Sequence, residues 1–177
     1  MNRSQLGQAI YKTSHLTGNF LLRSGLTSNE YFDKYRFESQ PHILQAIAEH
    51  ILPLLPEKID ALAALEMGGI PVGTALSLKS GIACAFIRKK AKDYGTCQFA
   101  EGFDIKGKRL CLIEDVITTG GQVVLSTQDL RNQGAIVEHV ICVIYRGKGT
   151  NGQDPALTEI GLTQKSLFTM SELKTYA

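Results

Sequence analysis

The sequence predicts an α/β protein in which helices flank a parallel sheet. Apolar runs at 59–66, 82–87, 109–113 and 136–145 are continuous, as expected for strands covered on both faces. Helical segments at 72–79 and from Gly120 or Gly121 to about Asn132 separate these runs, and Gly134 is the expected terminator of the second helix. Strands that alternate with helices at this spacing are typical of βαβ units.

The flanking segments complete the prediction. Residues 2–15 and 41–55 read as helices, the second beginning at Pro41 and ending near Pro53. Residues 19–23 and 30–33 read as a small antiparallel element around the turn at 24–25. Residues 88–108 show neither the helical nor the strand period. The last predicted elements are a short strand at 166–169 and a helix. The 177 residues are expected to form one domain, 1–177.

Composition narrows the class of protein. The net charge of +2 is too balanced to suggest a nucleic-acid or membrane-surface binder. No apolar run approaches the ~18 residues of a membrane span, and the first residues lack a signal-peptide core. Cys84, Cys97, Cys111 and Cys142 form no CxxC pair and read as buried free thiols. We therefore expect a cytoplasmic enzyme.

The most informative segment is an acidic strand end followed by a glycine-rich turn. The strand at 109–113 delivers Glu114 and Asp115, and the turn that follows contains two threonines and two glycines before a helix. Backbone N–H groups at a helix N-terminus bind phosphate, and carboxylates accept hydrogen bonds from sugar hydroxyls or hold Mg²⁺ directly or through water. The alternative is a turn that merely caps a helix beside solvated acids. The segment is neither a Walker A loop nor a GxGxxG fingerprint.

This pattern of two acids, two aliphatic residues and Thr-Thr-Gly-Gly resembles the phosphoribosyl-diphosphate (PRPP) motif of type I phosphoribosyltransferases. The resemblance implies that family's parallel sheet with a small N-terminal hood, here mainly residues 1–40, over a core of about 41–177. It implies that Glu114 and Asp115 hold the ribose hydroxyls, with Asp115 counted as catalytic, and that Mg²⁺ is bound mainly through PRPP and water. The PRPP-binding residues implied by the motif are Glu114, Asp115, Val116, Ile117, Thr118, Thr119, Gly120, Gly121 and Gln122.

A basic run, 88–92, follows the second strand. Alone it reads as a solvated charge run; beside a phosphate site, its cations would neutralise a departing pyrophosphate. The run Arg-Lys-x-x-Lys-x-Tyr-Gly resembles the mobile catalytic loop of the orotate phosphoribosyltransferase family. The resemblance implies that Arg88, Lys89, Lys92 and Tyr94 contact PRPP, that Lys92 is catalytic, and that the loop reaches the neighbouring site of a homodimer. Lys90 has no assigned role.

The segment 20–33 is similar to the N-terminal signature of the same family, which forms part of the hood over the base. By this resemblance Tyr31 and Phe32 border the pyrimidine; the alternative is that they are core aromatics of a hairpin. Arg23 stands where the family often has lysine, so the resemblance assigns it to PRPP. The change keeps the charge but alters the donor geometry.

Two further positions bear on the substrates. Arg146 follows the fourth strand, and a guanidinium pairs well with a carboxylate. By resemblance, Arg146 and Thr118 contact orotate; the alternative is an exposed arginine at a strand end. Gly68 replaces a lysine that many members carry just before Gly-Ile-Pro.

The sequence thus predicts a Mg²⁺-dependent enzyme that joins orotate to PRPP and releases pyrophosphate. The sequence shows no Ser/His/Asp or Cys/His arrangement for covalent catalysis, which fits direct displacement at a sugar carbon. A phosphoribosyltransferase for another base, and a PRPP-sensing regulatory protein of the same fold, remain alternatives. The regulator would need a basic face, which the balanced charge does not suggest.

Overall fold

The computed structural model describes residues 1–21, 25–90 and 98–176. Its helices and strands follow the predicted alternation. They are α1 (Arg3–Ser14), β1 (His15–Leu21), β2 (Thr27–Phe32), α2 (Lys34–Glu38), α3 (Pro41–Ile51), β3 (Ala61–Leu65), α4 (Gly69–Ser80), β4 (Cys84–Ile87), β5 (Ala100–Glu101), β6 (Arg109–Ile117), α5 (Gly121–Asn132), β7 (Ile136–Tyr145), α6 (Pro155–Glu159), β8 (Thr163–Thr169) and α7 (Met170–Lys174). Short 3₁₀ turns occupy Leu52–Leu54 and Thr150–Gly152.

The main sheet has six strands in the order β5-β4-β3-β6-β7-β8. Strands β4, β3, β6, β7 and β8 pair in parallel, and β5 pairs antiparallel with β4 at one edge. The chain passes from β3 outward to β4 and then returns to β6 on the other side of β3. The strand order therefore reverses between β3 and β6, and the crevice at such a switch point is where open α/β sheets bind ligands.

Helices cover both faces of this sheet, as predicted. Residues of β3 alternate between the two faces: Leu62 packs into a core shared with α1, α3 and α4. Ala61, Ala63 and Leu65 pack into a second core shared with α5 and α6. All five β3 side chains are buried because both faces are covered, which explains the continuous apolar run. No helix in the described ranges is long and apolar enough to cross a membrane.

The hood is an antiparallel pair, β1 with β2, that follows α1 directly. Asn2 caps α1 and forms a reciprocal capping box with Gln5, so the predicted first helix is confirmed to within a residue at each end. Strand β1 begins at His15, earlier than the predicted extended segment at 19–23. Its pairing with β2 is irregular between Thr17 and Phe20, and this breaks the alternation from which a strand is read.

The structure corrects three predicted boundaries and adds two short elements. Strand β6 continues to Ile117 rather than ending at 113, because its ladder with β7 extends to Tyr145. Helix α4 begins at Gly69 rather than at 72, and β8 begins at Thr163 rather than at 166. Two short elements, β5 and α6, lie where no period was visible, since two and five residues are too few to show one.

Candidate active site

The two motif carboxylates lie at the carboxyl end of β6, beside the switch point. Asp115 is fully buried, and its Oδ1 accepts a hydrogen bond from the N–H of Val116 at 2.6 Å. Its Oδ2 forms an ion pair with Nζ of Lys34 at 2.6 Å. Glu38 is also buried and hydrogen-bonded to Asp115. Three carboxyl groups, those of Glu38, Glu114 and Asp115, thus surround one ammonium group.

Sequence reasoning missed Lys34 and Glu38. Both belong to α2, which Asp33 initiates by accepting a hydrogen bond from the N–H of Tyr35. Residues four apart share a helix face, so a Lys-x-x-x-Glu spacing after a capping aspartate could have signalled that both point the same way. That they point at β6 was not readable, because it depends on how α2 packs.

Burial and mutual repulsion separate the proton affinities of these acids. Burial raises the pKa of Glu38 to about 9, with support from its hydrogen bond to Asp115. Burial, followed by the charge of Asp115, raises the pKa of Glu114 well above its ordinary range. Burial alone would also raise the pKa of Asp115, but hydrogen bonds from Glu38, Glu114 and Lys34 outweigh it and lower that pKa. Of the three acids, Asp115 is therefore the one that ionises most readily.

Residues 118–122, called the phosphate loop below, connect β6 to the first turn of α5. Thr118, Thr119, Gly121 and Gln122 are exposed, and the first turn of α5 receives no side-chain cap at Gly120. The free N–H groups and the positive end of the helix dipole therefore face solvent as an anion site.

Val116 and Ile117, by contrast, pack their side chains into the two cores. The side chain of Ile117 is buried and that of Val116 is half-buried, so both are less open to solvent than those of Thr118 and Thr119.

A cavity of about 340 Å³ under the hood contains three of the predicted orotate-binding residues. Tyr31, Phe32 and Arg146 line it together with Glu30 and other hood and C-terminal residues. The backbone N–H of Arg146 donates to the carbonyl of Ile117 at 2.8 Å, which fixes the start of this loop beside the end of β6. Thr118 does not line this cavity and lies on the phosphate loop instead.

Two glutamates hold the start of the basic run at 88–92, which is called the basic loop below. The guanidinium of Arg88 pairs with Glu101 on β5, at 3.1 Å between Nε and Oε1, and the backbone N–H of Lys89 donates to Glu66. Lys90 is exposed, in keeping with its lack of an assigned role. Three predicted site residues, Arg23, Lys92 and Tyr94, lie outside the described residues.

The turn after β3 approaches these carboxylates closely. A Cβ on Gly68 would overlap the carboxylate of Asp115, and a Cβ on Gly69 would overlap the carbonyl oxygen of Ile113. The Asp115 carboxylate fills the space beside Gly68 and the β6 backbone fills the space beside Gly69, so a side chain at either position requires one of these groups to move. The peptide bond between Glu66 and Met67 in this turn is cis.

The cluster offers oxygen donors to a metal ion but no complete set of protein ligands. Within 1–21, 25–90 and 98–176, no group of three or more His, Cys, Asp or Glu side chains is arranged to hold a metal. The adjacent carboxyl groups of Glu114 and Asp115 are donors of the kind that Mg²⁺ contacts through water.

The chain is similar to known proteins in sequence and in fold. Residues 36–159 match the family of phosphoribosyl transferase domains. An orotate phosphoribosyltransferase of Nocardioides sp. is 48% identical over 168 residues, which cover 95% of this chain and 92% of the relative. The crystal structure of Mycobacterium tuberculosis orotate phosphoribosyltransferase in complex with Fe(III) dicitrate superposes with a TM-score of 0.85 at 26% identity, over 97% of this chain and 98% of the other. The PRPP complex of the same enzyme gives 0.80 at 23% identity over the same shares, a likeness of fold.

The sheet order, the hood and the acidic strand end with its phosphate loop together define a type I phosphoribosyltransferase. Within that class, the chain belongs to the orotate phosphoribosyltransferase family. The family predicted from the sequence is confirmed, and so is the predicted fold class.

Proposed function

We propose that this chain transfers the 5-phosphoribosyl group of PRPP to orotate, giving orotidine 5′-monophosphate and pyrophosphate for de novo UMP synthesis. One observation carries the proposal. The carboxylates and phosphate loop at the end of β6 are joined, through the hydrogen bond between Arg146 and Ile117, to a hooded cavity that contains Tyr31, Phe32 and Arg146. A sugar-phosphate site and a site for a flat anionic base thus lie side by side.

The reaction follows from this arrangement. A ring nitrogen of orotate gives up its proton to solvent or to the departing pyrophosphate, and it forms a bond to the anomeric carbon of the ribose as the bond from that carbon to the diphosphate oxygen breaks. The electron pair of the breaking bond leaves with the pyrophosphate. Asp115 and Glu114 accept hydrogen bonds from the ribose hydroxyls, and the N-terminus of α5 holds the 5′-phosphate. Arg146 orients the orotate carboxylate, so that the two reacting atoms are held in line.

The leaving pyrophosphate needs positive charge. We assign this role to Arg88, Lys89 and Lys92, with Tyr94 and Arg23 as further PRPP contacts, by resemblance to the family's loop and hood. Bound Mg²⁺ would neutralise diphosphate oxygens, held mainly by those oxygens and by water. Exclusion of water by the loop would protect the donor from hydrolysis.

We further propose a homodimer in which the basic loop serves the neighbouring site, and a cytoplasmic location. The dimer rests on the family resemblance of the loop. The location rests on the cysteines: Cys111 and Cys142 are buried free thiols, and Cys84 is free but half-buried, less enclosed than predicted. Cys97 lies outside the described residues. Free buried thiols are typical of a reducing compartment. No nucleic-acid partner is proposed.

An ultraviolet assay of orotate consumption tests the proposal. We expect loss of the orotate spectrum that depends on both PRPP and added Mg²⁺ and that EDTA abolishes. A protein that binds PRPP but leaves orotate intact would contradict the proposal. A panel of uracil, adenine and guanine under the same conditions would then separate a transferase for another base from a PRPP-sensing regulator.

A further inference from the structure

Lys34 is a basic residue at the ribose carboxylate that the motif does not include. Its Nζ lies 2.6 Å from Asp115 Oδ2, and its side chain is 31% exposed, whereas that of Asp115 is 0% exposed. Within the described residues, this ion pair is the one that joins a basic side chain to the cluster of Glu38, Glu114 and Asp115. Lys34 is therefore in contact both with the buried carboxylate and with solvent.

Asp115 cannot accept ribose hydroxyls while it is completely enclosed. Its Oδ1 is engaged by the N–H of Val116, and Gly68 lies against Oδ2 through its backbone. The Lys34 ammonium is the cation paired with Asp115 Oδ2 that ribose hydroxyls would have to replace, and it lies on a long, partly exposed side chain with several rotatable bonds. Glu38, by contrast, is buried, and its Oε1 has no hydrogen-bond donor. The opening of this site therefore depends on Lys34.

Once the Lys34 ammonium leaves Asp115, the diphosphate of a bound ribosyl diphosphate is a new partner for it. In a ribosyl diphosphate, the diphosphate is attached to the carbon next to the one that carries the 2-hydroxyl. A carboxylate that accepts the ribose hydroxyls thus lies a few bond lengths from diphosphate oxygens, well within the sweep of a lysine side chain. A hydrogen bond from an ammonium to a phosphate oxygen is of the strong, charge-assisted kind.

We propose that Lys34 is a further PRPP-binding residue that exchanges partners when PRPP binds. It covers Asp115 in the ligand-free protein. The ribose hydroxyls then replace its ammonium as donors to Asp115, and the ammonium moves to the diphosphate. The exchange leaves Asp115 with donors and adds a cation to the most highly charged part of the ligand. The inference rests on the proposed function, because it takes PRPP as the ligand.

Binding of two ligands to Lys34→Met tests the exchange. Calorimetry is performed with PRPP and with ribose 5-phosphate, which carries the hydroxyls and the phosphate but no diphosphate. We expect PRPP affinity to fall about tenfold or more, the range of a lost hydrogen bond to a charged group, and ribose 5-phosphate affinity to change less than about threefold. Lys34→Arg, which keeps the charge, should recover part of the loss.

A lysine from an ion pair elsewhere provides the control. Lys79, in the last turn of α4, pairs with Glu49 at 3.1 Å, so Lys79→Met should leave both affinities unchanged. Equal losses of both ligands in Lys34→Met would overturn the proposal, since Lys34 would then act on Asp115 alone. Unchanged PRPP affinity would also overturn it. Because wild-type PRPP binding is measured directly, a failure of orotate turnover would count against the proposed function and not against this inference.

Discussion

At the scale of single residues, the site separates groups that hold charge from groups that hold protons. Asp115 keeps its charge because Lys34 and the N–H of Val116 donate to it. Burial, together with the neighbouring Asp115, raises the pKa of both Glu38 and Glu114. A cluster in which one acid ionises more readily than the other two is suited to accept sugar hydroxyls. It also limits repulsion of a phosphorylated ligand, which three ionised carboxylates would repel.

Glu38→Gln tests this assignment through stability. The pKa of Glu38 is about 9 in the folded protein, against 4.5 ordinarily, so between these values the folded protein binds more protons than the unfolded chain. The free energy of unfolding of the wild type should therefore fall as pH rises from about 4.5 to about 9. A glutamine side chain cannot ionise, so the variant should show a flatter profile in urea titrations across this range. A wild-type profile that rises over the same interval would show that Glu38 is charged.

Arg146→Gln tests base recognition. Arg146 lines the hooded cavity with Tyr31 and Phe32, and loss of its guanidinium would remove the proposed charge-assisted pair with the orotate carboxylate. We expect KM for orotate to rise about tenfold to a hundredfold, while KM for PRPP changes little. Arg109→Gln is the matched control, because Arg109 forms an exposed ion pair with Glu138 at the opposite end of β6. Equal effects of both variants on orotate would remove Arg146 from the base site.

At the scale of elements, the phosphate site depends on how β6 changes into α5. Gly120 has a φ of +67°, and a Cβ there would lie 3.0 Å from Asp154 Oδ1 and 3.2 Å from Leu157. The turn is thus pressed against the start of α6, where Tyr145 also donates to Asp154 at 3.3 Å. An element that the sequence did not reveal therefore supports the phosphate loop from behind.

Gly120→Ala should damage both stability and phosphate binding. The left-handed conformation alone costs a non-glycine residue about 1–2 kcal/mol, and the contact with Asp154 and Leu157 requires the loop to shift. We expect a lower free energy of unfolding in urea and weaker binding of ribose 5-phosphate by calorimetry. Gly161→Ala is the control, since Gly161 has a φ of +72° with no atoms near a Cβ and lies outside the loop. It should lose stability and keep its affinity; loss of affinity in both variants would contradict a local effect at Gly120.

At the scale of the whole molecule, the proposed ribose, phosphate and base subsites lie together at the carboxyl ends of β6 and β7. We assign the cations that neutralise the pyrophosphate to the basic loop. An ion pair between Arg88 and Glu101 joins the start of this loop to β5. If the loop serves the neighbouring subunit, as we propose, each catalytic centre is composite and a monomer is incomplete.

Subunit complementation tests this arrangement. Lys92→Ala impairs the loop and Asp115→Asn impairs the ribose site, so each variant alone should be nearly inactive. After mixing and exchange of subunits, about half of the dimers are mixed, and each of these has one intact composite site. We expect about a quarter of wild-type activity to return. A mixture of Lys92→Ala with Arg88→Ala, both altered in the loop, should stay inactive; no recovery in the first mixture would contradict a shared site.

The sequence by itself determined the alternation of strands and helices, the acidic strand end, the phosphate loop and the family. These are local signals: apolar runs covered on both faces, and a motif whose residues are consecutive in the chain. The tertiary structure decided what those residues meet. Lys34 and Glu38 reach Asp115 from a distant part of the chain because α2 packs beside β6, and Gly68 abuts the same carboxylate because β3 and β6 are neighbours. Contacts between distant segments arise from packing, which leaves no period or motif in the sequence.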